Sequence, residues 1–232
     1  MKSAQDQAYE SIRDRIINLE LKPGSKLRAE ELAKQLDMSR TPVREALGRL
    51  EQQGLVTRDG WGYTVRAITF KEILDLFKIR ESLETQAAVE ACAHLDDKAL
   101  GRLKLVLAKA EQFLKKQKMA DFRAANREFH MMISAASQND LLGSILLMLN
   151  DRIRLVSALH QDIMKNRARD VLSENFEILN ALTERNAEKV EAAVLGHLRN
   201  SKEEFLHVVI GTRSIQSPVL SANPDTNPGR RT

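Results

Sequence analysis

The chain has 232 residues, 36 Lys and Arg against 32 Asp and Glu, 43% hydrophobic residues and a single cysteine. This is enough length and apolar content for two folded units with real cores, while one cysteine excludes an internal disulfide and any cysteine-rich zinc site. No apolar run approaches the ~20 residues that span a bilayer and no signal peptide opens the chain, so a cytoplasmic protein is expected. The net charge of +4 divides as +2 over residues 1–66, zero over 67–212 and +2 over 213–232. Charge alone therefore says little about nucleic acid, and placement must carry the argument.

Tyr9, Ile12, Ile16, Ile17 and Leu19 mark an amphipathic helix that Lys22-Pro23-Gly24 should end. Leu32, Ala33 and Leu36 then form one apolar stripe, Asp37-Met38-Ser39 breaks it, and Val43, Ala46, Leu47 and Leu50 resume the period of about 3.6 residues. That pattern is a helix-turn-helix. Ser39 stands where it can cap the second helix, and Pro42 is tolerated in a first turn whose N–H groups lack intrahelical partners. Arg40 and Arg44 lie four residues apart on the outward face, near the end that a recognition helix presents to base edges. Gly54 stops this helix, and Leu55 to Arg58, Asp59-Gly60-Trp61-Gly62, and Tyr63 to Arg66 read as strand, turn, strand. The unit expected over residues 1–68 is a winged helix-turn-helix.

The run from Leu32 to Val56, with its Leu-Ala, Ser-Arg, Pro-Val-Arg-Glu-Ala-Leu and Gly-Leu-Val segments, resembles the DNA-binding module of the GntR family of bacterial transcription regulators. The resemblance covers Tyr9 to Val65 and implies binding to double-stranded operator DNA. Arg40 and Arg44 are the expected base readers. Ser39, Thr41 and the helix's N-terminal amides should meet phosphates, while Arg28, Arg49 and the wing residues Gly60, Trp61 and Gly62 supply further DNA contacts. Trp61 also has a plain packing role open to it, since an aromatic at a hairpin readily covers the sheet.

From Thr69, which has capping-box spacing to Glu72, helical patterns follow almost without interruption: Leu76 to Ala91, then about 98–116, 121–136, 141–160, 172–182 and 187–209. Between Gly62 and Pro218 there is no proline, and the glycines are Gly101, Gly143, Gly196 and Gly211. The chain is thus expected to be mainly α, with a C-terminal all-α helical bundle over 69–212 that senses ligand and dimerises, and a flexible tail over 213–232. No internal repeat is present. Cys92, beside Ala88 and Ala91, reads as packing.

The bundle resembles FCD, the ligand-sensing domain named after the fatty-acid regulator. The likeness rests on Asp75 to Glu84, Asn126-Arg127-Glu128-Phe129-His130, Asn175 to Leu182, and His197-Leu198. Many relatives look like metal-dependent sensors with one acidic residue and three histidines. Here two of those four positions are Asn126 and Asn175, leaving His130 and His197 as imidazole donors. The resemblance thus implies one divalent transition metal, zinc or nickel, on a weakened set of Asn126, His130, Asn175 and His197, because amide oxygens hold such ions less firmly. These four side chains have the alternative of bonding one another or the effector. Arg80 and Arg154 have forks suited to a carboxylate, and the resemblance places Arg80 at the effector cavity; both also have i,i+4 or i,i+3 partners, Glu84 and Asp151, on what would then be solvated faces. His94, His160 and His207 read as surface histidines.

No activated nucleophile, phosphate-cradling loop or base-and-orienter pair suggests an enzyme. The expectation is a homodimeric, ligand-responsive regulator, a repressor released from a pseudo-palindromic operator by a small carboxylate-bearing metabolite, with the linker 67–69 transmitting the change. An architectural DNA-binding protein without effector, and a regulator responding to a fatty acyl ligand, remain as alternatives. A cavity at the polar cluster separates the first of these from a sensor.

Overall fold

The computed structural model describes residues 2–60, 62–160 and 165–212; Trp61 and the tail expected over 213–232 lie outside them. Helix α1 (Ala4–Ile17) begins well before the apolar stripe because Ser3 caps it, accepting the Asp6 N–H at 3.1 Å. It ends at Asn18, ahead of Lys22-Pro23-Gly24, where Leu19 takes a positive φ of 61°. Strand β1 (Lys26–Leu27) follows; at two residues it has no period to read.

Helices α2 (Ala29–Gln35) and α3 (Arg40–Gln52) form the expected helix-turn-helix, with Asp37 in the left-handed region, φ 50°, at the turn. Ser39 occupies the N-cap position of α3, but its hydroxyl makes no capping hydrogen bond. Strands β2 (Val56–Asp59) and β3 (Gly62–Val65) are the wing, and β1 adds to β3, giving an antiparallel sheet ordered β1-β3-β2. Val56 pairs with Val65 and Leu27 with Tyr63. Val43, Ala46, Leu47 and Leu50, four residues of one α3 face, are fully buried against Ala8, Tyr9, Ile12 and Ile16 of α1. Burying an aliphatic side chain of this size contributes roughly 1.5–3 kcal/mol, so this stripe fixes the orientation of α3.

The bundle comprises α4 (Phe70–His94), α5 (Asp97–Lys115), α6 (Met119–Ala136), α7 (Asp140–Leu159), α8 (Ala168–Thr183) and α9 (Ala187–Thr212). Thr69 and Glu72 form the capping box that their spacing predicts. Asp96 and Asn139 cap α5 and α7 with a single side-chain bond each, accepting from Ala99 N and Leu142 N. Phe122 and Phe129 of α6 pack with Leu103, Leu107, Ile178, Leu182 and Leu198 in the main core, which also holds Cys92 as packing.

Helix α7 belongs to both units. Its Leu155, 1% exposed, is part of the winged-helix core. One turn earlier Arg152 donates from Nε to the carbonyl of Gln53 at 3.2 Å, at the C-terminal end of α3. Gly54 (φ 71°) is needed here twice over, since a Cβ would also lie 2.2 Å from the Arg152 guanidinium. The expectation that the linker 67–69 alone joins the units is therefore corrected: a helix deep in the chain grips the recognition helix directly, a contact between residues 99 apart that no local pattern reveals.

Candidate functional site

Helix α3 and the sheet bound an open groove of about 1140 Å³ lined by Arg28, Arg40, Thr41, Arg44, Arg58 and Gly62, among others. Arg40 pairs with Glu30 at 2.6 Å and Arg28 with Glu31 at 3.5 Å, both highly exposed, so neither pair opposes a stronger partner by much. Arg44 and Arg58 make no ion pair among the described residues. Arg58 on β2 escaped the sequence reading because a wing strand has no helical spacing to single it out. Ser39 is exposed beside the groove, and Gly60 (φ 54°) turns the wing. Arg49 faces elsewhere: its guanidinium lies 3.9 Å over the Tyr9 ring and pairs with Asp6 at 3.2 Å, which ties α3 to α1.

The second site lies between α4, α6, α7 and α9, against Ile17 and Asn18 at the end of α1. It is a cavity of about 330 Å³ that Arg80, Asn126, His130, Arg154 and His197 all line. Asn175 stands behind Asn126, 1% exposed, and donates from Nδ2 to the Asn126 Oδ1 at 2.5 Å. The His130 and His197 rings stack 5.0 Å apart. All six residues proposed for effector binding are thus brought together.

The pairings foreseen for the arginines form too, but not on solvated faces. Arg80 Nε donates to Glu84 at 2.6 Å with both side chains under 15% exposed, and Arg154 meets Asp151 at 3.4 Å in similar burial. Sequence reading took Glu84 for a surface partner; it is a member of the site, its second oxygen 3.9 Å from His130 Nδ1. Glu174 was missed altogether. Its carboxylate accepts from His197 Nδ1 at 2.7 Å and pairs with Arg167, fixing the His197 ring. His160 is not a surface histidine, since it packs edge-on against Phe205 at 4.8 Å and lines the cavity; His94 and His207 are exposed.

Burial works against a charge on Glu84, yet Arg80 and then His130 hold its carboxyl below the ordinary value. Burial, followed by the charge of His197, pushes His130 down to about 3, so its imidazole is neutral. His130 is hydrogen-bonded with the Asn175 side chain, whereas Ser134 Oγ and Arg154 Nε, on the cavity wall, are buried without a hydrogen-bond partner among the described residues. Each such atom forgoes on the order of 1–3 kcal/mol, a state retained where a ligand is to supply the partner.

These residues do not fit a tightly held transition metal. The Asn126 amide oxygen is taken up by Asn175, no group of three or more His, Cys, Asp or Glu among the described residues has metal-holding geometry, and the Arg80 guanidinium sits in the same cavity. Two imidazoles with an amide fall short of the donor set zinc prefers.

A neutral His130 has a consequence for acid stability. An unfolded histidine binds a proton below about pH 6.5, while folded His130 does not until about 3, so stability falls as pH drops through that window. By pH 5 the loss amounts to about 2 kcal/mol. His130→Gln should remove that share of the acid sensitivity, measured as thermal midpoints from pH 7 to 5 with a chelator present. A parallel decline in both proteins would assign the sensitivity to other groups.

With this geometry in view, the family relations are clear. Residues 4–64 match the model of the gntR family of bacterial regulatory proteins, and residues 75–200, more than half of the chain, match the FCD domain. The chain is 28% identical over 209 residues to the Nta operon transcriptional regulator of Aminobacter aminovorans, covering 87% of this chain and 97% of that one. It is 25% identical to the transcriptional repressor RspR of Escherichia coli, covering 87% and 89%. The solved structure of E. coli McbR/YncC superposes with a TM-score of 0.76 at 25% identity, over 90% of this chain and all of that one. A winged helix-turn-helix module followed by a helical bundle matches both family models in order: the chain belongs to the GntR family of DNA-binding transcription regulators, in the branch that carries an FCD domain.

Proposed function

We propose that this regulator is a homodimeric repressor released from a pseudo-palindromic operator by a small organic acid. Residues 1–68 form the DNA-binding part and 69–212 the sensing and dimerising part. The observation that carries the reading is the position of α7: Ile153 and Arg154 line the cavity, while their neighbours Arg152 and Leu155 hold α3 and the winged-helix core. A ligand that shifts α7 has a direct hold on the spacing of two recognition helices, and its differential affinity for the two dimer states sets the change in operator affinity. The name of RspR supports repression. An architectural role leaves the buried unpartnered atoms unexplained. The cavity presents Arg80, Arg123, Arg127, Arg154, His130 and His197, a lining that suits a small acid better than a long acyl chain. Work on operator DNA places the protein in the cytoplasm.

On DNA, Arg44 and Arg40 read base edges, Arg40 after exchanging Glu30 for the duplex, and Ser39, Thr41, Arg28 and the wing meet the backbone. Arg44→Ala is expected to cost about 1–3 kcal/mol on the operator and far less on random duplex, measured by titration at fixed salt. Equal losses on both would demote Arg44 to a phosphate contact.

The dimer reading rests on apolar side chains left in solvent on α7 and α4: Leu141 is 71% exposed, Leu147 59%, Met148 53% and Ile79 45%. Leu147→Glu combined with Met148→Glu should sediment as a monomer at micromolar concentration; a persistent dimer would move the interface elsewhere.

The effector is bound without help from a resident metal. Zinc or nickel should leave the thermal midpoint of the native chain almost unchanged, whereas Asn175→His, adding a third imidazole, should make it rise with metal concentration. The further change His130→Ala should abolish that rise. If the native chain is itself strongly stabilised by either ion, the metal-free reading falls.

A further inference from the structure

One wall of the cavity holds more positive charge than the acids among the described residues neutralise. Arg123 and Arg127, on successive turns of α6, and Arg154 of α7 all line it. Arg127 is half-buried, makes no ion pair among the described residues, and spends one N–H on the Arg123 carbonyl at 3.2 Å. Arg154 shares Asp151 and Asp14 with Arg13, at 3.1 to 3.9 Å, and keeps its buried Nε unpartnered. Four guanidinium groups thus have two carboxylates between them. Burial first, and then the charges of Arg154 and Arg123, disfavour the cationic form of Arg127, which is the signature of like charges held together. This cluster is separate from Arg80, whose guanidinium already has Glu84 on the opposite side at α4.

We infer that the cavity takes a ligand with two acidic groups, one at the Arg80, Asn126 and His130 end and the second between Arg123, Arg127 and Arg154. The inference rests on the organic-acid reading above and narrows it to a small dianion that bridges the two ends of the cavity. Forked guanidiniums grip a carboxylate bidentately, and an anion there relieves the repulsion it finds. The second acid also lands on α7 beside the residues that hold α3, so its charge acts where the recognition helix is anchored.

The test uses the full chain and four probes, glutarate and adipate against pentanoate and hexanoate, by calorimetric titration and thermal shift. The diacids are expected to bind about ten-fold or more tightly than the monoacids of equal length, the factor that one charged hydrogen-bonded contact supplies. Arg127→Gln should erase that advantage, leave monoacid affinity in place, and leave the ligand-free protein as stable or more so, since a like charge is removed. Arg123→Gln reads the same subsite should Arg127→Gln fold poorly. Equal binding of diacids and monoacids, or an advantage that survives both substitutions, overturns the second subsite while leaving the organic-acid reading intact. If no probe binds in the millimolar range, both fall together.

Discussion

The contact on which the rest depends is the one α7 makes with the winged helix. Leu155 is buried in a core otherwise built by α1, α2, α3 and the sheet, and Arg152 satisfies a carbonyl at the very end of α3, where helix termini leave such groups open. Removing a leucine of this kind usually costs 2–5 kcal/mol, and the carbonyl it neighbours would return to solvent or stay unpaired. The helix that senses and the helix that reads DNA are therefore not two bodies on a string. Tyr9 strengthens the joint by donating to the Gln53 side chain at 2.7 Å, and Asp151 and Arg154 reach α1 through Arg13 and Asp14.

The cavity is expensive by the standards of a helical bundle. Charged pairs such as Arg80–Glu84 and Arg167–Glu174 are largely buried, where desolvation offsets much of the Coulomb gain, and apolar residues of similar volume would often serve stability as well or better. A bundle selected for stability alone would have Leu or Met there. The cluster makes sense as a site whose donors and acceptors are held ready, with Glu174 orienting His197 and Arg80 keeping Glu84 ionised beside a neutral His130. Glu84, Ser134 and Arg154, which line the cavity, each carry a buried side-chain atom without a hydrogen-bond partner, as does Thr85 outside it.

The sequence displayed the fold more fully than the site, for a physical reason. Apolar periodicity records which face of each helix is buried, so α3 and the bundle helices were legible to within a few residues, and capping residues such as Thr69 and Asp96 mark ends that periodicity blurs. β1 was not legible, because two residues pairing with a strand 36 positions on leave no local mark. The residues of the site could be named from their family pattern, but their burial could not. Arg80 and Glu84 four residues apart look the same on a wet face as in a cavity, and only the packing of α6 and α9 decides between them. Glu174, Arg123 and Arg127 belong to the site through contacts made across helices, which spacing along one helix does not encode.

On the organic-acid reading, Asn126 and Asn175, at positions where the family resemblance expects an acid and a histidine, change what the cavity would recognise as well as its fit for a metal. Where a metal would present one concentrated positive charge, this chain offers an amide pair, a neutral imidazole and, on the far wall, arginines in excess of their acids. Recognition is thereby shifted from a single strong ion to several directional donors, each worth less but jointly dependent on the ligand's shape and charge count. Two of those donors ride on α6 and one on α7, and α7 is tied through Arg152 to Gln53 at the end of the recognition helix, so a ligand held by all three would act on the helix that grips α3. On this reading, charge discrimination and transmission to DNA would rest on the same wall of the cavity.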